Sequence, residues 1–194
     1  MIDVSKYSNA ATSKAQQIKD DVLAALQQFR PTGHAEQQQA PQPPASQRKG
    51  CLAVIFPFLF KKKNHSSEQP DLSDLRRRNS AAQQSIIDTL RQATNRAHDD
   101  WSNFLKSQAR TINADIDAQS DIDNAEKSRL QESVMAQSVL SFSMLDESSR
   151  IRSAENLSSP DGFDAYVASL RPRLEDAINK ALSQQLDIYN RLSK

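Results

Sequence analysis

A lone thiol, a serine behind three arginines and a run of carboxylates are the places where residue type and spacing in this chain could do chemistry. Cys51 stands at the head of the apolar run "CLAVIFPFLF", residues 51 to 60, and is the only cysteine. One cysteine makes neither an intramolecular disulfide framework nor a Cys-based zinc site, so its candidate chemistry is acylation beside a membrane. In "RRRNS", Arg77 and Arg78 precede Ser80 by three and two residues, a spacing that basophilic kinases read by charge pairing; the same residues also make a solvated basic helix end. Asp115, Asp117, Asp123 and Glu126 fall at the first, third, ninth and twelfth places of "DIDAQSDIDNAE", where carboxylate oxygens could face a hard cation. His34, His65 and His98 are scattered, and no HExxH, Ser/His/Asp spacing or Gly-rich phosphate loop accompanies them. The reading is therefore non-enzymatic, without a cofactor.

The carboxylate run resembles an EF-hand loop, with Ile122 at the apolar eighth place. It departs from that pattern at Gln119, where Asp or Asn is usual, and at Ser120, where the sharp turn wants Gly; there is no second loop to pair with it. An acidic, capped turn between two helices uses the same residues without an ion. No metal is assigned, and Asp115, Asp117, Asp123 and Glu126 stand as the calcium candidates.

The apolar decamer is the least expected feature of a chain whose mean hydropathy is −0.69. It is half the length of a transmembrane helix, which needs about 20 apolar residues, and Pro57 bends it. No other strand-like run exists to pair with it. Basic residues stand on both sides, Arg48 and Lys49 before and Lys61, Lys62 and Lys63 after, and all prefer the same anionic surface. The reading is a wedge entering one leaflet through Leu52, Val54, Ile55, Phe56, Phe58, Leu59 and Phe60. Those side chains contribute about 0.3 to 0.6 kcal/mol each and the bases about 1 kcal/mol each, so a lipid on Cys51 would convert transient contact into stable anchoring. The alternative is a strap folded onto the protein.

Charge is divided along the chain. Residues 30 to 70 carry six basic and two acidic residues, whereas 71 to 194 carry sixteen basic and nineteen acidic ones. The basic excess brackets the decamer and the long C-terminal part is mildly acidic, which points away from nucleic acid. No basic start followed by an apolar core opens the chain, so no conventional signal peptide is expected. The first residues, "MIDVSKYSNAATSKAQQ", are rich in Ser, Thr, Asn, Gln and Ala. They resemble the uncleaved leader of bacterial type III secretion effectors, which implies delivery into a host cell; the plainer reading, which outweighs it, is an ordinary disordered terminus grading into a helix.

Three glycines in 194 residues leave few sharp turns and favour long helices. Ala11, Ala15, Ile18, Val22, Leu26 and Phe29 recur every three or four residues until Pro31, marking a separate N-terminal amphipathic helix within residues 1–30. Residues 31–50 hold four of the eight prolines and no large apolar side chain, a disordered linker; 51–63 is the membrane-contact segment and 64–72 a second linker. Residues 73–194 are expected to form an elongated antiparallel three-helix, coiled-coil-like bundle, so the fold class is all-α. Its first helix starts at Ser73 as N-cap and carries Ile86, Leu90, Ala93, Ala97, Trp101, Phe104, Gln108, Ile112 and Ile116 on one stripe. It should overhang its partners at the N-terminal end. The second is expected from Ser120 through Leu145 with a buried middle, "SVMAQSVLSFSML". The third follows Ser159 as N-cap and Pro160, is interrupted by Pro172, and carries Phe163, Val167, Leu170, Leu174, Ile178, Leu182, Leu186 and Tyr189. Whether the N-terminal helix docks as a fourth member is open.

Two functions fit these features. One is a membrane-associated adaptor that touches anionic lipid through the decamer and a protein partner through the bundle, acting as a secreted effector at the cytosolic face of host membranes. The other is a soluble coiled-coil protein, regulatory or self-assembling, with the decamer buried; a calcium response at the acidic turn is an optional part of it.

Overall fold

In the computed structural model of the chain the described residues are 3–31 and 72–192. Among them are five helices and no strand: α1 Ser5–Gln27, α2 Leu72–Asp117, α3 Asn124–Met135, α4 Met144–Ser153 and α5 Pro160–Leu192. The all-α expectation holds, and the helices pack as a bundle.

Each long helix follows from its apolar period. On α1, Tyr7, Ala11, Ala15, Ile18, Val22, Leu23 and Leu26 are buried, one face of a 3.6-residue repeat, and Pro31 lies just beyond its end. Phe29, expected on that stripe, lies past the last helical turn and is 45% exposed. On α2 the buried set keeps the expected stripe except that Leu105 replaces Phe104, which is only partly buried, and it widens to take in Ile87, Thr94 and Ala109. On α5 the stripe drifts in its last turns to Ala181, Gln185, Tyr189 and Leu192, leaving Leu182 and Leu186 partly buried.

Ion pairs give the directions. Lys6 meets Asp115 and Lys14 meets Asp100, so α1 runs antiparallel to α2. Lys19 meets Glu175 and Arg30 meets Asp164, so it is antiparallel to α5 as well. α1 packs on both α2 and α5, and α3 packs on both from the other side, while α2 and α5 face each other across the core as a diagonal pair. Docking is thus the arrangement adopted by the N-terminal helix. It completes an up-down-up-down bundle whose third member is the broken element α3 to α4.

That break departs from the single second helix expected from Ser120 to Leu145. α3 begins later, at Asn124, with Asp123 as N-cap accepting from the Glu126 N–H at 2.8 Å. It stops at Met135, and residues 136–143 form an extended strap before Ser143 caps α4. Within the strap Ser138 and Leu140 are buried and Phe142 half-buried, while Val139 and Ser141 are exposed, a period of two. Its expected burial is therefore partial: Met135 is 68%, Val139 61% and Leu145 83% exposed.

The return into α5 is made by the predicted cap. Ser159 Oγ accepts from the Gly162 N–H at 3.1 Å, and Pro160 opens the helix. Asn156 takes a left-handed φ of 61°, and a Cβ on Gly162 would stand 2.2 Å from its carbonyl oxygen, so only glycine lets this loop close on the helix. Pro172 does not interrupt α5, which runs through it; the proline sits on the exposed side, where the Ala168 carbonyl it leaves without a helical N–H can meet water. α2 starts at Leu72, which places Ser73 inside the helix and not at its cap.

Candidate functional site

The membrane-contact residues Arg48, Lys49, Cys51, Leu52, Val54, Ile55, Phe56, Phe58, Leu59, Phe60, Lys61, Lys62 and Lys63 lie outside the described residues. What the structure describes is the pair of points between which they are strung. Arg30 Nη2 pairs with Asp164 near the start of α5, at 2.5 Å. Asn79 and Gln83, near the start of α2, donate to the Ala154 carbonyl at 3.2 and 2.9 Å, in the loop that leads into α5. Residues 31 and 72 therefore stand at the same end of the bundle.

The calcium candidates are each engaged elsewhere. Asp115 lies on α2 and accepts from Lys6 Nζ and from the Tyr7 hydroxyl, both at 2.6 Å. Those two donors, Lys6 foremost, hold its carboxyl below the usual range. Asp117 Oδ1 accepts from Gln131 at 2.8 Å, and its carbonyl accepts from Lys127 Nζ, also at 2.8 Å. Asp123 caps α3, and Glu126 takes a fork of two bonds from Arg129 at 2.8 and 2.6 Å, which holds its carboxyl below the usual range. Among the described residues no group of three or more His, Cys, Asp or Glu side chains converges as a metal site would require. The structure thus places these residues in a capped acidic turn that pins α1 and α3 to the end of α2.

Ser80 is exposed on α2, one residue after Asn79, whose side chain is bonded to the Ala154 carbonyl. Arg77 pairs with Asp74 one turn earlier, at 3.0 Å. The hydroxyl is accessible, and a phosphate there would stand beside the arginines preceding it and the end of α4.

Sequence reasoning missed the features that hold the strap. Gln185 of α5 accepts from the Ser138 N–H at 3.0 Å, Trp101 of α2 donates its indole N–H to Ser138 Oγ at 3.2 Å, and His98 Nδ1 meets the Leu140 carbonyl at 3.0 Å. Next to them Glu147 of α4, 2% exposed, receives a fork from Arg173 of α5 at 2.9 and 2.7 Å and the Tyr166 hydroxyl at 3.1 Å. Burial, reinforced by the facing carboxylate, pushes the Tyr166 phenol far up, so it acts as a fixed donor. Gln185 gave no local signal, because the stripe read from sequence passes through Leu182 and Leu186; only the drift onto Ala181, Gln185 and Tyr189 puts its amide in the core, where it demands a polar partner.

These contacts frame two hollows. A cavity of about 230 Å³ lies beneath the strap, lined by Ile18, Ala97, Leu140, Phe142, Met144 and Leu174 among others. An open groove of about 500 Å³ runs between the strap, α4 and α5, bordered by Asp146, Glu147, Arg150, Arg173, Asp176 and Lys180. Three acids and three bases leave the groove without net charge, and Ser143 within it is spent capping α4 against Asp146. Among the described residues no helix is long and apolar enough to cross a membrane. Compared with family models, curated proteins and solved structures, the chain matches none.

Proposed function

We propose that this chain is a non-enzymatic, membrane-associated helical adaptor, in which the apolar segment 51–60 and its flanking bases dock on an anionic membrane surface and the bundle recruits a protein partner. The observation that carries the reading is the decamer with five basic residues around it, Arg48, Lys49, Lys61, Lys62 and Lys63. The placement of residues 31 and 72 at one end of the bundle supports it, because a segment that leaves and returns at one end can enter a leaflet without parting the helices. The leader resemblance adds delivery from a bacterium to the cytosolic face of a host membrane, with Cys51 as the acylation site. In this chain the leader residues are also structural: Tyr7, Ala11 and Ala15 are buried, so α1 would have to come off the bundle before export and pack again afterwards.

The test is a fluorescent fusion of the full chain in eukaryotic cells, beside the Phe56→Ser/Phe58→Ser/Phe60→Ser variant. The wild type is expected on membranes and the variant in the cytosol with the same melting temperature, because those rings contact lipid and not the helices. A variant that stays on membranes, or that loses helical stability, refutes the wedge.

A further inference from the structure

We infer that the first two turns of α2, Leu72 to Arg78, form a second lipid contact, an amphipathic surface lying against anionic headgroups beside the decamer. This inference rests on the membrane reading above and adds to it a site within the folded bundle.

The inward stripe of α2 runs through Leu72, Leu75, Asn79, Gln83, Ile86 and Leu90 in steps of three and four. From Asn79 onward it is covered: Asn79 and Gln83 bond the end of α4, and Ile86 and Leu90 are 2% and 0% exposed. Before Asn79 the helix projects by seven residues, roughly 10 Å at about 1.5 Å per residue, past the loop that would cap it. There Leu72 is 70% and Leu75 43% exposed. At about 100° per residue, Arg76 and Arg78 flank this leucine pair on either side, and Arg77 lies on the far side, paired with Asp74. An apolar pair with a guanidinium on each edge is the arrangement that lets leucine enter the headgroup boundary while the arginine stems lie along it and their charges reach phosphate.

The choice of lipid over another occupant follows from charge and position. Arg76, Arg77 and Arg78 outweigh Asp74 on the projecting turns, which suits an anionic surface. Leu72 follows the decamer by twelve residues, so a membrane touched by one is within reach of the other. Phe29, 45% exposed, marks the same end on α1.

The experiment is co-sedimentation of the full chain with phosphatidylcholine vesicles, with and without phosphatidylserine. Wild-type binding should require phosphatidylserine. Arg76→Gln/Arg78→Gln should weaken it about tenfold or more, Leu72→Ser/Leu75→Ser about threefold to tenfold, and Arg77→Gln least. None should change the melting temperature, since the side chains are exposed. Wild-type binding that these variants leave intact, but that Phe56→Ser/Phe58→Ser/Phe60→Ser removes, overturns this inference and leaves the wedge standing. Failure of the wild type to bind overturns both. If Leu72→Ser/Leu75→Ser lowers the melting temperature or dissolves a dimer in sedimentation, the stripe is covered by protein and the inference is wrong.

Discussion

The two flanks of the α2 and α5 diagonal are built differently. On one side α1 is a continuous helix that buries Tyr7, Ala11, Ala15, Ile18, Val22, Leu23 and Leu26, with ion pairs confined to its rim. On the other, α3, the strap and α4 bury few apolar side chains, leave Met135, Val139 and Leu145 exposed, and are fastened by polar groups: Gln185, Trp101 and the Glu147 fork. Non-directional burial holds the first flank wherever the stripe meets the core; directional bonds hold the second in one register only. The α1 flank should therefore fail in proportion to lost area, and the strap flank at single bonds.

The largest effect is expected on α1. Leu26 is 0% exposed, so Leu26→Asp buries a charge without a partner and should cost about 4 kcal/mol or more, whereas Leu26→Ala should cost about 2 to 5 kcal/mol. Chemical denaturation gives the loss, and hydrogen exchange should show α1 unprotected while α2 and α5 keep slow amides. If Leu26→Asp is as stable as wild type, α1 is not a member of the core.

Next comes the strap flank. Arg173→Met leaves the Glu147 carboxylate buried with Tyr166 alone, and removing one member of a buried pair costs about 3 kcal/mol or more. Glu147→Gln keeps the shape and leaves Arg173 a route to solvent, so about 1 to 2 kcal/mol is expected. The order of the two distinguishes the mechanisms: equal losses would mean that packing and not the charge fastens α4. Protection in 138–154 should fall first in both variants, with α1 untouched.

This contrast also explains what could be read from sequence. Period and caps are local, so Trp101, Leu174 and the Ser159–Pro160 start were legible, as was an overhang at the start of α2; its length was not, since "DLRRRNSAAQQS" reads as overhanging throughout while Asn79 and Gln83 are bonded to the Ala154 carbonyl. The break at Ala136 was not. Leu130, Val134 and Ser138 fit a helical step, while Ser138, Leu140 and Phe142 fit an extended one, and small serines blur the two. The partners that decide it, Trp101, His98 and Gln185, lie 37 to 47 residues away. The choice between an EF-hand-like loop and a capped acidic turn was not legible for a similar reason: the spacing is local, but Lys6 and Tyr7, which bond Asp115, come from more than a hundred residues away.

The smallest effect is expected at that acidic turn, where both flanks meet α2. Asp115, Glu126 and, at the far end, Asp164 all have carboxyls held below the ordinary range by Lys6, Arg129 and Arg30 respectively. A depressed folded value means that the unfolded chain binds protons first as pH falls. The stability these groups contribute is thus present above about pH 4 and is lost on acidification through their folded values. All three pairs are solvent-facing, so the slope should be shallow and should flatten in salt. Asp115→Asn should lower the melting temperature slightly at pH 7, and the difference from wild type should shrink as the pH falls below the ordinary carboxylate range. Calcium should leave the melting temperature of both unchanged, since an ion would have to displace Lys6 to reach that carboxylate. A calcium-dependent rise in the wild type that Glu126→Gln abolishes would show instead that the turn rearranges into a cation loop, and that the α1 flank gives way there more easily than its buried area implies.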